Sequence, residues 1–391
     1  MNIAFFCIPA HGHTNPTLAV VRELTARGHT VRYYTTEAFR AKVEAAGAVF
    51  VPFDAEAARP GMTAADGARL GSDLAFSTRL IVDLTLAADD WLSRELTAHR
   101  PDVIVGDSMT FWAKLAAKKH GIPFVSSTTT FAFNRFSAKV IGQNGMGFLQ
   151  FLLAQPRINR QLKRLRAAGY AVKSVFDIIA NDNETETVVY TSPDFQPYAD
   201  TFSEKYHFVG PLLRPAQSSF EKLPGRSLIY ISLGTVNNDA LPFYRACLAA
   251  FGGDPRFQLV LSAGTQTDLA AFGPIPENCT VRASVDQMAV LDCADVFLTH
   301  CGMNSASEGL WHGLPLVLYP QTPEQHGVAN RVAALGAGVP LTDPSADGIR
   351  RAVETALTDP SYRENAQKLA DSFRRCGGAA EAADAIEHAA N

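Results

Sequence analysis

Residues 3–8, IAFFCI, form an apolar run with no polar break, the mark of a strand covered on both faces, as strands of a parallel sheet are. The run closes on Pro9-Ala10-His11-Gly12-His13-Thr14-Asn15-Pro16, after which Leu18, Val21 and Leu24 recur at helical spacing up to Gly28. Thr14 or Asn15 is placed to cap that helix, and Pro16 suits its first turn. Residues 31–35, VRYYT, follow as a second strand, so the chain opens on a βαβ unit, the start of a doubly wound α/β sheet. The pattern continues with a helix over 37–46, a strand over 49–51, a variable stretch over 54–72 and a long helix through Leu80, Leu84 and Leu92. A strand over 101–107 then delivers Asp107 at its C-terminal end, and 188–190 and 207–209 read as the last strands of this first sheet.

Proline, serine and lysine mark 213–225 as a linker, and a new βα series begins at 228–235, LIYISLGT. Two domains suit a chain of 391 residues, and 47% hydrophobic against 19% charged residues make it globular. The net charge of −4 gives no basic stripe for nucleic acid, and no run reaches the length of a membrane span. The start enters a strand without a basic leader, and the six scattered cysteines show no zinc spacing; a cytoplasmic protein with reduced thiols is expected.

The densest stretch is 296–331, VFLTHCGMNSASEGLWHGLPLVLYPQTPEQHGVANR. A buried strand turns at His300-Cys301-Gly302 into a helix, and such a turn is a place for phosphate: Gly302 lets backbone approach a ligand, and Asn304 and Ser305 sit where amides and helix dipole attract anions. Glu308, one turn on from Asn304, suits ribose hydroxyls beside the phosphate. After the next strand two prolines stiffen a loop carrying Glu324 and Gln325, a carboxylate and an amide suited to sugar hydroxyls. Phosphate, ribose and sugar describe a nucleotide sugar. Ser232, Gly234 and Thr235 can hold phosphate oxygens by backbone and hydroxyl. In the first half His13 stands in the first βα turn, where ligands meet strand ends, and imidazole is the side chain best able to take a proton near neutral pH. Asp107 either pairs with His13 or caps the helix over 110–120.

As an ordered set these residues resemble the signature of the family 1 nucleotide-sugar glycosyltransferases, especially the bacterial macrolide-type branch, over nearly the whole chain. The resemblance implies a GT-B architecture of two doubly wound, Rossmann-like domains facing a cleft: an acceptor domain over 1–212, the linker, a nucleotide-sugar domain over 226–370 and a terminal helix over 371–391 packing back on the first domain. It implies an inverting hexosyltransferase, with His13 as base, Asp107 orienting it and Gly12 beside the donor. It places Val285 and Gln287 at the nucleobase, where Ser284 stands for the frequent stacking tryptophan and Asp286 for a frequent proline. The implied donor is UDP- or dTDP-glucose or a close relative, and the implied acceptor a hydrophobic hydroxylated macrolide, polyketide or flavonoid. Met109, Phe111, Trp112, Thr129, Phe131, Phe133 and Phe148 are candidates for the acceptor pocket. With no D-x-D and a histidine at a helix end, no metal and no cofactor are expected, nor stable membrane insertion, and the implied assembly is a monomer or homodimer. An epimerase of the same architecture and a non-catalytic nucleotide-sugar binder are the alternatives; a nicotinamide dehydrogenase would require G-x-G-x-x-G where this chain has one glycine between two histidines.

Overall fold

The structure is a computed structural model, described for residues 1–53, 73–134, 136, 145–179, 181, 183–235 and 238–391, with the side chains of 145–152 outside the description. It divides into two compact units, Met1–Thr191 with Tyr198–Leu212 and Gly377–Asn391, and Ser192–Pro197 with Leu213–Cys376.

The first unit is built on seven strands: β1 (Asn2–Phe6), β2 (Thr30–Thr35), β3 (Val49–Pro52), β4 (Val103–Asp107), β5 (Phe124–Thr128), β6 (Thr187–Val189) and β7 (Tyr206–Phe208). They pair in parallel in the order β3-β2-β1-β4-β5-β6-β7. Both faces are covered, which explains the apolar run at the start of the chain. Ile3 and Phe5 enter one core with Val21, Leu24, Tyr33 and Ile386, whereas Ala4 and Phe6 enter another with Tyr34, Leu92 and Trp112. The alternation is the two-residue period of a strand with helices on either side. Phe5 stacks on Tyr33 at 5.0 Å and Phe6 on Tyr34 at 4.2 Å, across the β1–β2 register.

The second unit has six strands, β8 (Ser227–Ser232), β9 (Phe257–Ser262), β10 (Cys279–Arg282), β11 (Val296–Thr299), β12 (Leu316–Leu318) and β13 (Gly338–Pro340), parallel in the order β10-β9-β8-β11-β12-β13. In each sheet the order reverses once, between β1 and β4 and between β8 and β11. Crossovers leave in opposite directions there, and the loops after those strands open a crevice at their carboxyl ends.

Three boundaries differ from the sequence reading. Residues 213–225 belong to the second unit, because acceptors of that unit hold them: Asp286 Oδ2 accepts from the N–H of Gln217 at 2.6 Å, Gln258 Oε1 from that of Leu223 at 2.8 Å, and Asp295 pairs with Lys222 at 2.5 Å. The helix Pro360–Arg374 also lies in the second unit, and only the helix Gly378–Ala390 joins the first, where Arg27 holds Asp384 at 2.6 Å and Glu387 at 3.0 Å. The first helix begins at His11 rather than at Thr14 or Asn15. The Thr14 N–H already bonds the Ala10 carbonyl at 2.9 Å, so Pro16 lies inside the helix and His13 in its first turn. Among the described residues no helix is long and apolar enough to cross a membrane.

Candidate functional site

Because β1 and β4 are neighbours at the reversal of the first sheet, the turn after one reaches the end of the other. His13 Nδ1 and Asp107 Oδ2 are 2.6 Å apart although 94 residues separate them in the chain. The carboxylate is buried, and its other oxygen, Oδ1, accepts the N–H of Met109 at 2.9 Å. Asp107 therefore serves the backbone behind it and the imidazole in front of it. The N-cap position of the helix Phe111–His120 is Thr110, which makes no side-chain cap bond there. Thr129 Oγ1 lies 3.0 Å from the same His13 nitrogen. With Nδ1 facing a carboxylate, the tautomer is fixed with its proton on that side, and Nε2 is the nitrogen that would accept another.

Asp107 also lies on the wall of a cavity of about 840 Å³ within the first unit, whose lining includes Met109, Phe111, Phe131 and Phe133. Trp112 is a correction to the expected lining: it is buried in the core with Phe6 and Tyr34, since one step along a helix turns a side chain about 100° from Phe111. Thr129 faces His13 instead of the cavity, and the side chain of Phe148 lies outside the described residues.

In the second unit the reversal between β8 and β11 brings the loops carrying Gly234 and Gly302 against the Nε2 edge of His300. A Cβ on Gly234 would stand 2.6 Å from the ring, and one on Gly302 2.5 Å from it, so both positions require glycine. Burial pushes the His300 imidazole down to about 4, with the Ser232 backbone acting in the opposite sense, so the ring is neutral at pH 7. Cys301, buried between them, takes a left-handed conformation at φ 63°, and its N–H bonds Thr299 Oγ1 at 3.1 Å. The helix starts one residue earlier than the expected Asn304, at Met303, with Gly302 at the N-cap and no side-chain cap bond from that position. Ser232 is buried, its hydroxyl accepting the N–H of Gly234 at 3.3 Å, and Thr235 is exposed beyond it.

Glu308 is the end of a hydrogen-bond chain. The Tyr230 hydroxyl donates to Gln287 Oε1 at 2.9 Å, which orients the amide so that its Nε2 donates to Glu308 Oε2. Burial raises the Glu308 carboxyl, while the Gln287 bond and the charge of Arg214 act to lower it. Gln325 is buried at the start of the helix Pro323–Ala334 and completes a capping box with Thr322: its Oε1 accepts from the N–H of Gln321 at 2.8 Å and of Thr322 at 3.2 Å. The expectation of an outward-aimed amide is thereby corrected for its oxygen, and Nε2 is the atom left to meet a ligand. Glu324 is exposed one residue before it, Gly12 is exposed beside His13, and Val285 is half-buried before the helix Gln287–Leu291. Among the described residues no group of three or more His, Cys, Asp or Glu is arranged to hold a metal ion.

Residues 257–387 match the model of the erythromycin biosynthesis protein CIII-like C-terminal domain. The NDP-glycosyltransferase YjiC of Bacillus licheniformis is 33% identical over 99% of this chain and 97% of its own length. The demethyllactenocin mycarosyltransferase of Streptomyces fradiae is 33% identical over 99% of this chain and 86% of its own. The chain belongs to the family 1 nucleotide-sugar glycosyltransferases. Its fold is GT-B: the crystal structure of the glycotransferase of kitacinnamycin superposes with a TM-score of 0.86 at 30% identity, covering 99% of this chain and 98% of that one.

In this glycosyltransferase, sequence reasoning missed Tyr230 and Cys301. Tyr230 reads as one more apolar position of a buried strand, and only the fold brings its hydroxyl to Gln287, 57 residues on. The left-handed Cys301 carried no signal, because positive φ is announced in sequence by glycine or asparagine. Asp286, taken only as a departure from a pattern, pins the segment before β8 by accepting from Gln217, Ser218 and the Ser218 hydroxyl.

Proposed function

We propose that this glycosyltransferase moves a hexose, glucose or a close relative, from a UDP- or dTDP-sugar to a hydroxyl of a hydrophobic macrolide, polyketide or flavonoid-like acceptor, with inversion at the anomeric carbon. It does so in the cytoplasm, as a monomer or homodimer, with no cofactor and no metal. The observation that carries this reading is the 2.6 Å contact of His13 with Asp107, a carboxylate that also lies on the wall of the cavity lined by Phe111 and Phe131. His13 Nε2 takes the proton of the acceptor hydroxyl as that oxygen bonds to the anomeric carbon; the bond from that carbon to the diphosphate breaks, and the electron pair leaves with the phosphate. Asp107 stabilises the imidazolium so formed.

On the donor side, His300 donates a hydrogen bond to the diphosphate, together with the first-turn amides from Gly302 to Ser305 and with Ser232, Gly234 and Thr235. Glu308 receives ribose hydroxyls, Glu324 and the Gln325 amide nitrogen meet the sugar, and Val285 and Gln287 border the base. His13→Ala tests the assignment: transfer should fall by about 10²–10⁴-fold, while nucleotide-sugar affinity, measured by calorimetry, stays within about twofold. Equal loss of both would make His13 a structural residue.

A further inference from the structure

Tyr230 puts a hydroxyl where packing alone has no need of one. It stands inside β8 between Ile229 and Ile231, all three buried, and its ring stacks at 4.9 Å on Phe297, its register partner in β11. Ile229 and Ile231 enter a core on one face of the sheet, and the two-residue period of a strand sends Tyr230 to the other. A phenylalanine would fill that space equally well, so the hydroxyl is the part that requires a partner. Its partner is Gln287 Oε1, at 2.9 Å, and the Gln287 amide in turn donates to Glu308 Oε2. The far end sets the direction of this chain. An ionised carboxylate only accepts, so Gln287 presents nitrogen to Glu308 and oxygen to Tyr230, and the phenol must donate. Burial pushes the phenol up, so it keeps the proton it gives to Gln287. Among the described residues the other carboxylate oxygen, Glu308 Oε1, has no hydrogen-bond partner.

Resting on the proposed donor site, we infer that Tyr230 is a positioning residue for the nucleotide: through Gln287 it holds the Glu308 carboxylate so that Oε1 receives a ribose hydroxyl. The two ends of a glutamine amide are nearly the same size, and hydrogen bonds alone decide which way round it sits. Gln287 opens the helix Gln287–Leu291 and Glu308 lies in the second turn of Met303–Trp311, so the phenol on β8 is the fixed point that orients both. Without its hydroxyl the amide is free to turn over and set its oxygen against Glu308 Oε2. Two acceptors then face each other, and the carboxylate turns away from the position that meets the ribose. Burial pushes the Glu308 carboxyl up, with the Gln287 bond acting against it, so loss of that bond also favours the neutral acid, a poorer acceptor for a hydroxyl. The phenol thus governs the share of nucleotide affinity that depends on ribose hydroxyls, without touching the ligand.

The test measures the affinity of the full chain for UDP, 2′-deoxy-UDP and 3′-deoxy-UDP by calorimetry. The wild type should prefer UDP to at least one deoxy analogue by about 10-fold or more. Tyr230→Phe keeps the stacked ring and should cut that preference to about twofold or less, while the deoxy analogue itself binds within about twofold of its wild-type affinity. Gln287→Met, which breaks the relay without altering β8, should give the same result, and adding Tyr230→Phe to it should change nothing further, because the two residues act in series. A preference kept in Tyr230→Phe, equal weakening of UDP and its deoxy analogues, or a further loss in the double variant would overturn the inference. Glu308→Ala separates this from the donor reading. A preference lost in Glu308→Ala but kept in Tyr230→Phe overturns the inference alone, whereas one that survives Glu308→Ala, or is missing from the wild type, overturns the ribose assignment and the inference with it.

Discussion

Replacing His300 with glutamine keeps a hydrogen-bond donor near the ring position and removes the titration. In the wild type, burial holds the free imidazole at about 4, so it carries no charge at pH 6 to 7. A phosphate charge arriving about 4 Å away, at an effective dielectric of about 20, interacts with a proton on the ring by about 4 kcal/mol, which is about three pKa units. The bound imidazole should therefore titrate near 7, and nucleotide-sugar binding should draw in about 0.9 proton at pH 6 and about 0.5 at pH 7. Affinity should rise about fivefold between pH 7 and pH 6, because lowering the pH favours the state with the higher pKa. UDP-glucose suits the experiment, since its phosphates are diesters with no proton to exchange in that range. The assay is titration calorimetry in two buffers of different ionisation enthalpy. His300→Gln should show uptake near zero and a flat affinity profile. Uptake below about 0.2 proton at pH 6 in the wild type would refute the reasoning, because a phosphate set against the ring cannot leave its titration unmoved.

Asp286→Ala removes the shared acceptor of Gln217 and Ser218 and should lower the stability of the second unit by about 1–3 kcal/mol, measured by urea unfolding. Burial acts to raise the Asp286 carboxyl, but the bonds from Gln217 and Ser218 outweigh it and hold it below the usual carboxylate range. The contribution should thus be present above the ordinary carboxylate pKa and fade as the pH drops through the lowered value, a trend the variant lacks. If His300 and the helix amides stabilise the leaving phosphate as proposed, transfer should proceed within about twofold of its ordinary rate in excess chelator; loss of activity that magnesium restores would refute the metal-free mechanism.

The two doubly wound sheets were legible because each strand of a covered sheet is a short apolar run and each turn is marked by glycine, proline or a small polar residue. The proximity of His13 and Asp107 was legible as one of two options, since sequence names the ends of β1 and β4 but not their adjacency. What escaped depends on rotation and on competition between partners. Trp112 and Phe111 look alike in sequence, and only the helix phase sends one to the core and the other to the cavity. The inward turn of the Gln325 amide oxygen escaped because a capping box shows itself only once Thr322 is known to start a helix. The composition of 213–225 is that of an interdomain linker, whereas acceptors distant in sequence, Asp286, Asp295 and Gln258, fasten it to the second unit. The start of the first helix was misplaced because Pro16 was assigned to a first turn that begins five residues earlier, at His11.

The two glycines against His300 have a consequence for how this protein can vary. With two main-chain segments set against the Nε2 edge of one buried ring, a methyl group on either loop would displace the imidazole instead of being absorbed. The three positions 234, 300 and 302 are therefore mechanically one part. Drift at any of them should disable the others.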